Sequence, residues 1–220
     1  MTTAIGVQDA IAMIPAGATI MIGGFLAVGT PPRLVDELVR QGKKDLVVIG
    51  NDTARPGLGI GKLIVHRSVR KAIVSHIGTN PETQRQMLAK EIEVELVPQG
   101  TLAERIRAAG FGLGGILTAT GLGTTVAEGK RTIEVDGRTF LLETPLAADY
   151  ALIGAKRADY SGNLEYSLTA RNFNPLMAMA ARTVIAEAED IVPVGVIPPD
   201  AVVTPGAVVN YLLTRERRHG

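Results

Sequence analysis

The chain contains no cysteine among its 220 residues. This absence excludes disulfides, thiolate metal sites and cysteine nucleophiles, and it fits a reducing compartment, so we expect a cytoplasmic protein. Histidine is also scarce, since His66, His76 and His219 are the three in the sequence. They are scattered along the chain, and the sequence therefore predicts no metal site.

The sequence also lacks an excess of positive or negative charge, because it has 23 Lys and Arg residues and 22 Asp and Glu residues. The formal net charge of +1 creates no long-range field that would attract nucleic acid or an acidic membrane. We expect neither as a partner.

Charged side chains are absent from residues 10–32, a stretch long enough to cross a bilayer. Prolines and glycines interrupt its apolar character, and no Lys or Arg precedes it, as a secretory leader would require. We interpret it as a buried helix, a turn and a buried strand. With 46% hydrophobic residues the chain can bury a substantial core, and we expect residues 1–220 to form a single domain.

Short runs rich in Val and Ile alternate with amphipathic segments, which is typical of a parallel sheet flanked by helices. The sequence therefore predicts an α/β fold with an open, mostly parallel sheet. The predicted strands are 18–22, 46–49, 72–75, 92–97, 150–153 and 183–186. The predicted helices are 7–14, 32–41, 81–89, 102–109 and 174–181.

The hydrophobic period changes between Arg131 and Glu143. Two alternating runs flank Asp136-Gly137, a pair that favours a type I′ turn. We expect a small β-hairpin there, as an excursion from the main sheet.

Polar or small residues follow four of the predicted strands: Gly23, Asn51, His76 and Gln99. The carboxyl ends of parallel strands gather at one edge of an open sheet and form the crevice in which ligands bind. The sequence therefore predicts a shared site at this edge, lined by neutral hydrogen-bond donors.

The first of these strand ends carries the most informative motif. Glycine lets a ligand approach the backbone, and Pro31 and Pro32 favour the start of a helix whose first N–H groups would face an anion. The residues predicted to bind the ligand here are Gly23, Gly24, Phe25, Leu26, Ala27, Val28 and Gly29.

The other strand ends allow more than one interpretation. Asn51 and Asp52 fit either a ligand site or an Asx turn. Gln99 lies between Pro98 and Gly100, which restrict the backbone, so its amide is a candidate preorganised oxyanion donor. His76 fits a crevice histidine without a carboxylate partner better than a catalytic base.

Several motifs typical of other functions lie in surrounding sequence that does not fit those functions. Residues 110–115 match a dinucleotide fingerprint but follow a predicted helix, and the glycines near residue 23 lack its spacing. Residues 57–62 resemble a phosphate loop with Leu63 where Ser or Thr is required. No serine lies in a Gly-x-Ser-x-Gly elbow, and the chain has no self-contained nucleophile.

Seven sequence blocks, in order, carry a resemblance that covers nearly the whole chain. They are Gly23-Gly-Phe with Gly29-x-Pro31, Asn51-Asp-Thr, Gly57-Leu-Gly-Ile-Gly, Ser75-His-Ile-Gly-Thr-Asn-Pro-Glu, Val97-Pro-Gln-Gly-Thr-Leu, Thr120-Gly-x-Gly-Thr and Ala170-Arg-Asn-Phe-Asn. The chain resembles the A (alpha) subunit of the family I coenzyme A transferases, above all the bacterial acetate and acetoacetate enzymes. It is also similar to the N-terminal half of the single-chain 3-oxoacid enzyme. Ala16 departs from the Asp or Asn usual in the family.

The resemblance implies a ping-pong transfer of coenzyme A (CoA) between a short-chain acyl-CoA, such as acetyl-CoA or acetoacetyl-CoA, and a free carboxylic acid. The nucleophile is a glutamate of the B (beta) subunit, and the expected assembly is an A2B2 heterotetramer. CoA is a substrate, and no cofactor is implied. Gln99 matches the oxyanion donor, Asn51 matches a residue lining the same pocket, and residues 23–29 match the CoA-binding segment.

Two alternatives remain beside this interpretation. The first is the alpha subunit of a 3-oxoadipate or succinate:3-oxoacid CoA-transferase, although residues 76–82 look more like the acetate and acetoacetate group. The second is a non-catalytic acyl-CoA-binding protein on the same fold. A neighbouring gene for a B subunit with a Glu-Asn-Gly segment would separate the second from an enzyme.

Overall fold

A computed structural model describes residues 2–214. Residues 1 and 215–220, with His219, lie outside this range, so the single domain over residues 1–220 stays a prediction. The helices are α1 (Val7–Ala12), α2 (Pro32–Arg40), α3 (Ile60–Val65), α4 (Pro81–Leu88), α5 (Gln99–Gly110) and α6 (Asn174–Ala180). The strands are β1 (Thr3–Ile5), β2 (Thr19–Ile22), β3 (Leu46–Ile49), β4 (Val69–Val74), β5 (Glu93–Leu96), β6 (Ile116–Thr118), β7 (Thr132–Val135), β8 (Arg138–Glu143), β9 (Ala148–Asp159), β10 (Leu164–Glu165), β11 (Ala181–Val192) and β12 (Tyr211–Leu213).

The main sheet has the strand order β1-β12-β11-β9-β2-β3-β4-β5. All of these strands run parallel, and β10 adds antiparallel to β9. The predicted α/β class with an open, mostly parallel sheet is confirmed. The strand order reverses direction between β2 and β9, and ligands bind at such switch points, outside the carboxyl ends of the strands.

Helices cover both faces of this sheet. On β2, Ile20 and Ile22 pack with the side that carries α1 to α4, whereas Met21 packs with α5 and α6 on the other side. Because both faces of the sheet are buried, the central strands are continuous apolar runs of sequence, without alternation of apolar and polar residues.

The uncharged stretch 10–32 contains the end of α1, a turn and the buried strand β2, as expected. Within residues 2–214, every helix is too short or too polar to cross a bilayer.

The five predicted helices and six predicted main-sheet strands are all present, with ends shifted by a few residues. The predictions missed α3, the short strand β10, the edge strand β1 and its short neighbour β12. They gave β9 and β11 about a third of their length. Each of the two long strands has 12 residues. Their outer halves are charged and pair side by side, for example Lys156 with Glu189, so they lack the apolar signal of a buried strand.

The predicted hairpin is confirmed as β7 and β8, with Asp136 at φ 50° and Gly137 at φ 70° in a left-handed turn. Its extent was underestimated, because β6 pairs with β8 and makes a three-stranded sheet. Within the small sheet, the buried Glu143 contacts Lys130 Nζ at 2.5 Å. It also lies 3.9 Å from Arg105 Nε of α5, which ties the small sheet to the main body.

Phe173 supports α6 and is completely buried, whereas Phe111 at the end of α5 is 60% exposed. We expect Phe173→Ala to lower the free energy of unfolding by about 3–5 kcal/mol, because it removes apolar contacts and leaves a cavity. Phe111→Ala is the matched control and should stay within about 0.5 kcal/mol of the parent. Urea denaturation measures both, and equal losses would contradict this packing of α6.

Candidate active site

The chain leaves β2 through a tight turn at the sheet's switch point. Phe25 and Val28 exchange two backbone hydrogen bonds of 2.9 Å, and the residues between them, Leu26 and Ala27, have φ values of 46° and 73°. A residue other than glycine in this left-handed region costs on the order of 1–3 kcal/mol. The turn, residues 25–28, therefore depends on contacts that hold it in place.

Asn174, at the start of α6, holds the base of this turn. Its Nδ2 donates to the carbonyl oxygens of Gly29 and Ala170 at 3.0 and 2.9 Å, and its Oδ1 accepts from Gly154 N at 3.0 Å. A Cβ atom on Gly23 would lie 1.7 Å from Asn174 Oδ1. This internal contact alone requires glycine at position 23, and the predicted role of Gly23 in ligand binding stays a prediction.

The first backbone N–H groups of α2, the helix that follows the turn, already bind an anionic side chain. The carboxylate of Glu187 accepts from Arg33 N at 3.0 Å and from Leu34 N at 3.1 Å, at the first turn of α2. Burial raises the pKa of Glu187, and the two backbone N–H groups oppose that rise. The expected ligand anion at these N–H groups is therefore replaced by a side chain of the protein itself.

A connected polar cluster follows β3. Asn51 and Asp52 are both buried. Asn51 Nδ2 donates to Asp52 Oδ2 at 2.7 Å, and Gln99 Nε2 donates to Asn51 Oδ1 at 2.5 Å. The Asp52 carboxylate also accepts from Leu26 N at 2.9 Å and from Ala54 N at 2.7 Å. The Asx turn that the sequence allowed is present, and the second carboxylate oxygen reaches the 25–28 turn.

Gln99 is the first residue of α5, so the start of a helix after Pro98 fixes its backbone. Its side chain is exposed, and the hydrogen bond to Asn51 sets the direction of its amide. A glutamine amide has two N–H donors. In the described part of the chain, Asn51 accepts from one of them, and the other has no acceptor.

The strand ends meet around a cavity of about 330 Å³. Its walls are the two amide side chains, Asp52, Ser75, His76, and the turn residues Phe25 and Leu26. A second cavity, of about 360 Å³, lies on the other side of the turn, against Ala27, Val28, Gly154 and Lys156. The 25–28 turn is therefore the wall between two cavities at the carboxyl edge of the sheet.

Among its described lining residues, the cavity beside Gln99 has hydrogen-bond donors but no free carboxylate nucleophile. Asp52 is the one acid among its described lining residues, and both its oxygens accept hydrogen bonds within the protein. His76 is exposed at the rim. In residues 2–214, no group of three His, Asp or Glu side chains is arranged to hold a metal ion.

Of the predicted site residues, the structure brings Asn51, Gln99, Phe25 and Leu26 to one cavity and Ala27, Val28 and Gly29 to the next. Gly23 and Gly24 are buried under the turn. Sequence reasoning missed Asn174 and the second contact of Asp52, although both residues lie in the blocks that carry the family resemblance. The roles of the predicted residues in catalysis and CoA binding stay predictions.

The motifs that were set aside have structural explanations. Residues 110–115 lie between α5 and β6, after a helix as expected. Gly61 belongs to α3, where a Cβ atom would lie 2.0 Å from Arg55 O. Close packing therefore accounts for a glycine in the segment that resembles a phosphate loop.

The family model described as coenzyme A transferase matches residues 5–214. The chain belongs to the coenzyme A transferase family. It is 56% identical to the alpha subunit of the acetate CoA-transferase of Escherichia coli (strain K12), over 95% of each chain. It is 53% identical to the alpha subunit of the acetoacetyl-CoA:acetate/butyrate CoA transferase of Clostridium acetobutylicum, over 90% of each chain.

The fold is also found in the acyl-CoA transferase of Escherichia coli O157:H7, solved as a thioester complex with CoA. The TM-score is 0.86 at 22% identity, over 100% of this chain and 49% of that one. The chain thus spans about half the length of that solved protein. The predicted family, the CoA-transferase class and the alpha-subunit role are confirmed.

Gly23→Ala tests the contact under the turn. Because the new Cβ atom would collide with Asn174 Oδ1, the amide must move, and we expect a loss of about 1–3 kcal/mol in stability from overpacking. Gly114→Ala is the matched control, since nothing lies within 4 Å of a Cβ atom there. The two variants are compared by urea denaturation, and similar midpoints would show that Asn174 does not hold the base of the turn.

Proposed function

We propose that this chain is the alpha subunit of a cytoplasmic CoA-transferase that moves CoA between a short-chain acyl-CoA, such as acetyl-CoA or acetoacetyl-CoA, and a free carboxylic acid. The observation that carries the proposal is the Asn51–Gln99 amide pair, which leaves one N–H of Gln99 available at a cavity beside the 25–28 turn. The matching names of the relatives support the substrate class.

The reaction needs a nucleophile that this cavity lacks. We assign it to a glutamate of a B subunit, with which the chain forms an A2B2 heterotetramer. The glutamate carboxylate attacks the thioester carbonyl and expels the CoA thiolate, which leaves an acyl-glutamyl anhydride. The thiolate then attacks the glutamyl carbonyl, releases the first acid and leaves a glutamyl-CoA thioester. The second acid reverses these steps.

Gln99 acts on the charge that each attack creates. Every addition to a carbonyl places negative charge on its oxygen, and a donor that is already aligned stabilises that charge in the transition state. The free N–H of Gln99 is such a donor. Within the predicted CoA-binding segment, residues 23–29, the exposed side chains of Leu26 and Val28 are placed to contact CoA. Neither a metal nor a further cofactor takes part.

Activity of the separate and combined subunits tests the division of roles. We expect the purified chain to show no transfer from acetoacetyl-CoA to acetate or butyrate, because it lacks the nucleophile, and to gain turnover when the B subunit is added. Thioester absorbance reports the reaction. Succinate and 3-oxoadipate in the same panel test the alternative acids. CoA binding without turnover by the complex would favour the non-catalytic alternative, and turnover by the chain alone would overturn the proposal.

Gln99→Ala tests the donor itself. Because the N–H acts on the transition state more than on bound substrate, we expect kcat of the two-subunit complex to fall by about 10² to 10³, or about 3 kcal/mol, with little change in CoA affinity. Gln41→Ala is the control, since the Gln41 amide bonds Gln8 O and Glu37 Oε1 near α2, away from the cavity. A Gln99→Ala complex that melts earlier but keeps its kcat would contradict the assigned role.

A further inference from the structure

Asp52 is the one residue that contacts both halves of the site. It is 4% exposed, and its carboxylate accepts from the backbone of the 25–28 turn and from the side chain of Asn51. A third bond, from Ala54 N, fixes the carboxylate on its own loop. Neither the family resemblance nor the names of the relatives gives this residue a role.

We propose that Asp52 is the positioning residue of this site: its carboxylate holds the 25–28 turn and fixes the direction of the Asn51 and Gln99 amides, so that one N–H of Gln99 stays aimed at the oxyanion. The inference rests on the proposed function for its catalytic consequence. Its structural part concerns contacts within this chain alone.

The direction of the amides follows from the hydrogen-bond chemistry of the cluster. A carboxylate accepts hydrogen bonds and does not donate them, so Asn51 must present its NH2 group to Asp52. With Nδ2 turned toward Asp52, the Asn51 amide faces Gln99 with its Oδ1, and Gln99 therefore donates to it from its NH2 group. One negative charge therefore sets the orientation of two neutral amides that could otherwise turn around.

An asparagine at position 52 would remove this constraint without changing the shape of the side chain. Asp52 Oδ2 accepts from both Leu26 N and Asn51 Nδ2. An NH2 group in its place would lose the bond from Leu26 N, and it could donate to Asn51, which would let Asn51 turn and present NH2 to Gln99. Gln99 would then offer its oxygen to Asn51, and its N–H groups would move away from their present position. The charge of Asp52, and not its size, is thus the feature that the site requires.

The hydrogen bond from Leu26 N to Asp52 is the contact by which Asp52 holds the 25–28 turn. Leu26 and Ala27 are held in the left-handed region, and the carboxylate is the side chain that accepts the N–H at the tip of this strained turn. A charged acceptor makes a stronger hydrogen bond to a backbone N–H than a neutral one does. The position of the turn and the direction of the Gln99 amide are consequently coupled through one group.

Asp52→Asn in the two-subunit complex tests the catalytic part. We expect kcat to fall at least about tenfold. In the Asp52→Asn background, Gln99→Ala should cost less than about tenfold in kcat, compared with about 10² to 10³ in the parent, because the donor is already misaligned. Full additivity of the two substitutions, or a kcat within about threefold of the parent for Asp52→Asn, would overturn the proposal.

Asp159 offers a matched control. It is also a buried aspartate, and it accepts from two backbone N–H groups, those of Ser161 and Asn163, and from the Asn163 side chain. Asp159→Asn removes a charge from a similar set of partners, none of which lines the cavity. It should lower the melting temperature while leaving kcat and the effect of Gln99→Ala unchanged, and an equal loss of kcat would show that Asp52 acts only through stability.

Measurements on the isolated chain separate this inference from the proposed function. Amide hydrogen exchange at Leu26 should become faster in Asp52→Asn and stay unchanged in Asp159→Asn. The ¹⁵N side-chain resonance of Gln99 should shift in Asp52→Asn and also in Asn51→Ala, which keeps the bond to Leu26. If the parent complex fails to transfer CoA, the proposed function falls. If the Gln99 resonance and the Leu26 exchange rate do not change in Asp52→Asn, the proposed positioning role of Asp52 is wrong.

Discussion

The buried carboxylate at the end of β3 is the constraint around which the carboxyl edge of the sheet is organised. Burying a charge is unfavourable unless hydrogen bonds compensate for the lost water, and Asp52 obtains three of them, one from the turn after β2 and two from its own loop. Each donor is thereby fixed relative to the others: a strained turn after β2, the loop after β3, and the amide that faces α5. The polar cluster is a consequence of satisfying that charge.

The parallel sheet makes this arrangement possible. Because β2, β3, β4 and β5 run in the same direction and in this order, the segments that follow them meet at one edge within reach of short side chains. Asn51 and Gln99 are 48 residues apart in sequence and still share a hydrogen bond. On the other side of β2, Asn174 holds the same turn from α6. The turn is thus fixed from both sides of the switch point.

Sequence reasoning predicted what local pattern decides. The central strands, five helices and the Asp136-Gly137 turn follow from apolar runs, prolines and turn residues, and the gathering of polar residues at strand ends follows from parallel topology. Sequence reasoning did not find the contacts between residues that are far apart in the chain. Gly23 is required by Asn174, which lies in α6, and the N–H groups of α2 are occupied by Glu187 from β11. Neither partner is visible from the neighbouring sequence.

Under the function we propose, the same contacts let one chain prepare a reaction whose nucleophile comes from another subunit. A hydrogen-bond donor must be aligned before the charge develops, since reorganisation during the reaction would raise the barrier. Gln99 is exposed at the cavity, but its alignment is set by the two buried residues Asn51 and Asp52. The preorganisation therefore resides in this folded chain itself, and a partner that brings a carboxylate nucleophile meets a donor already in place.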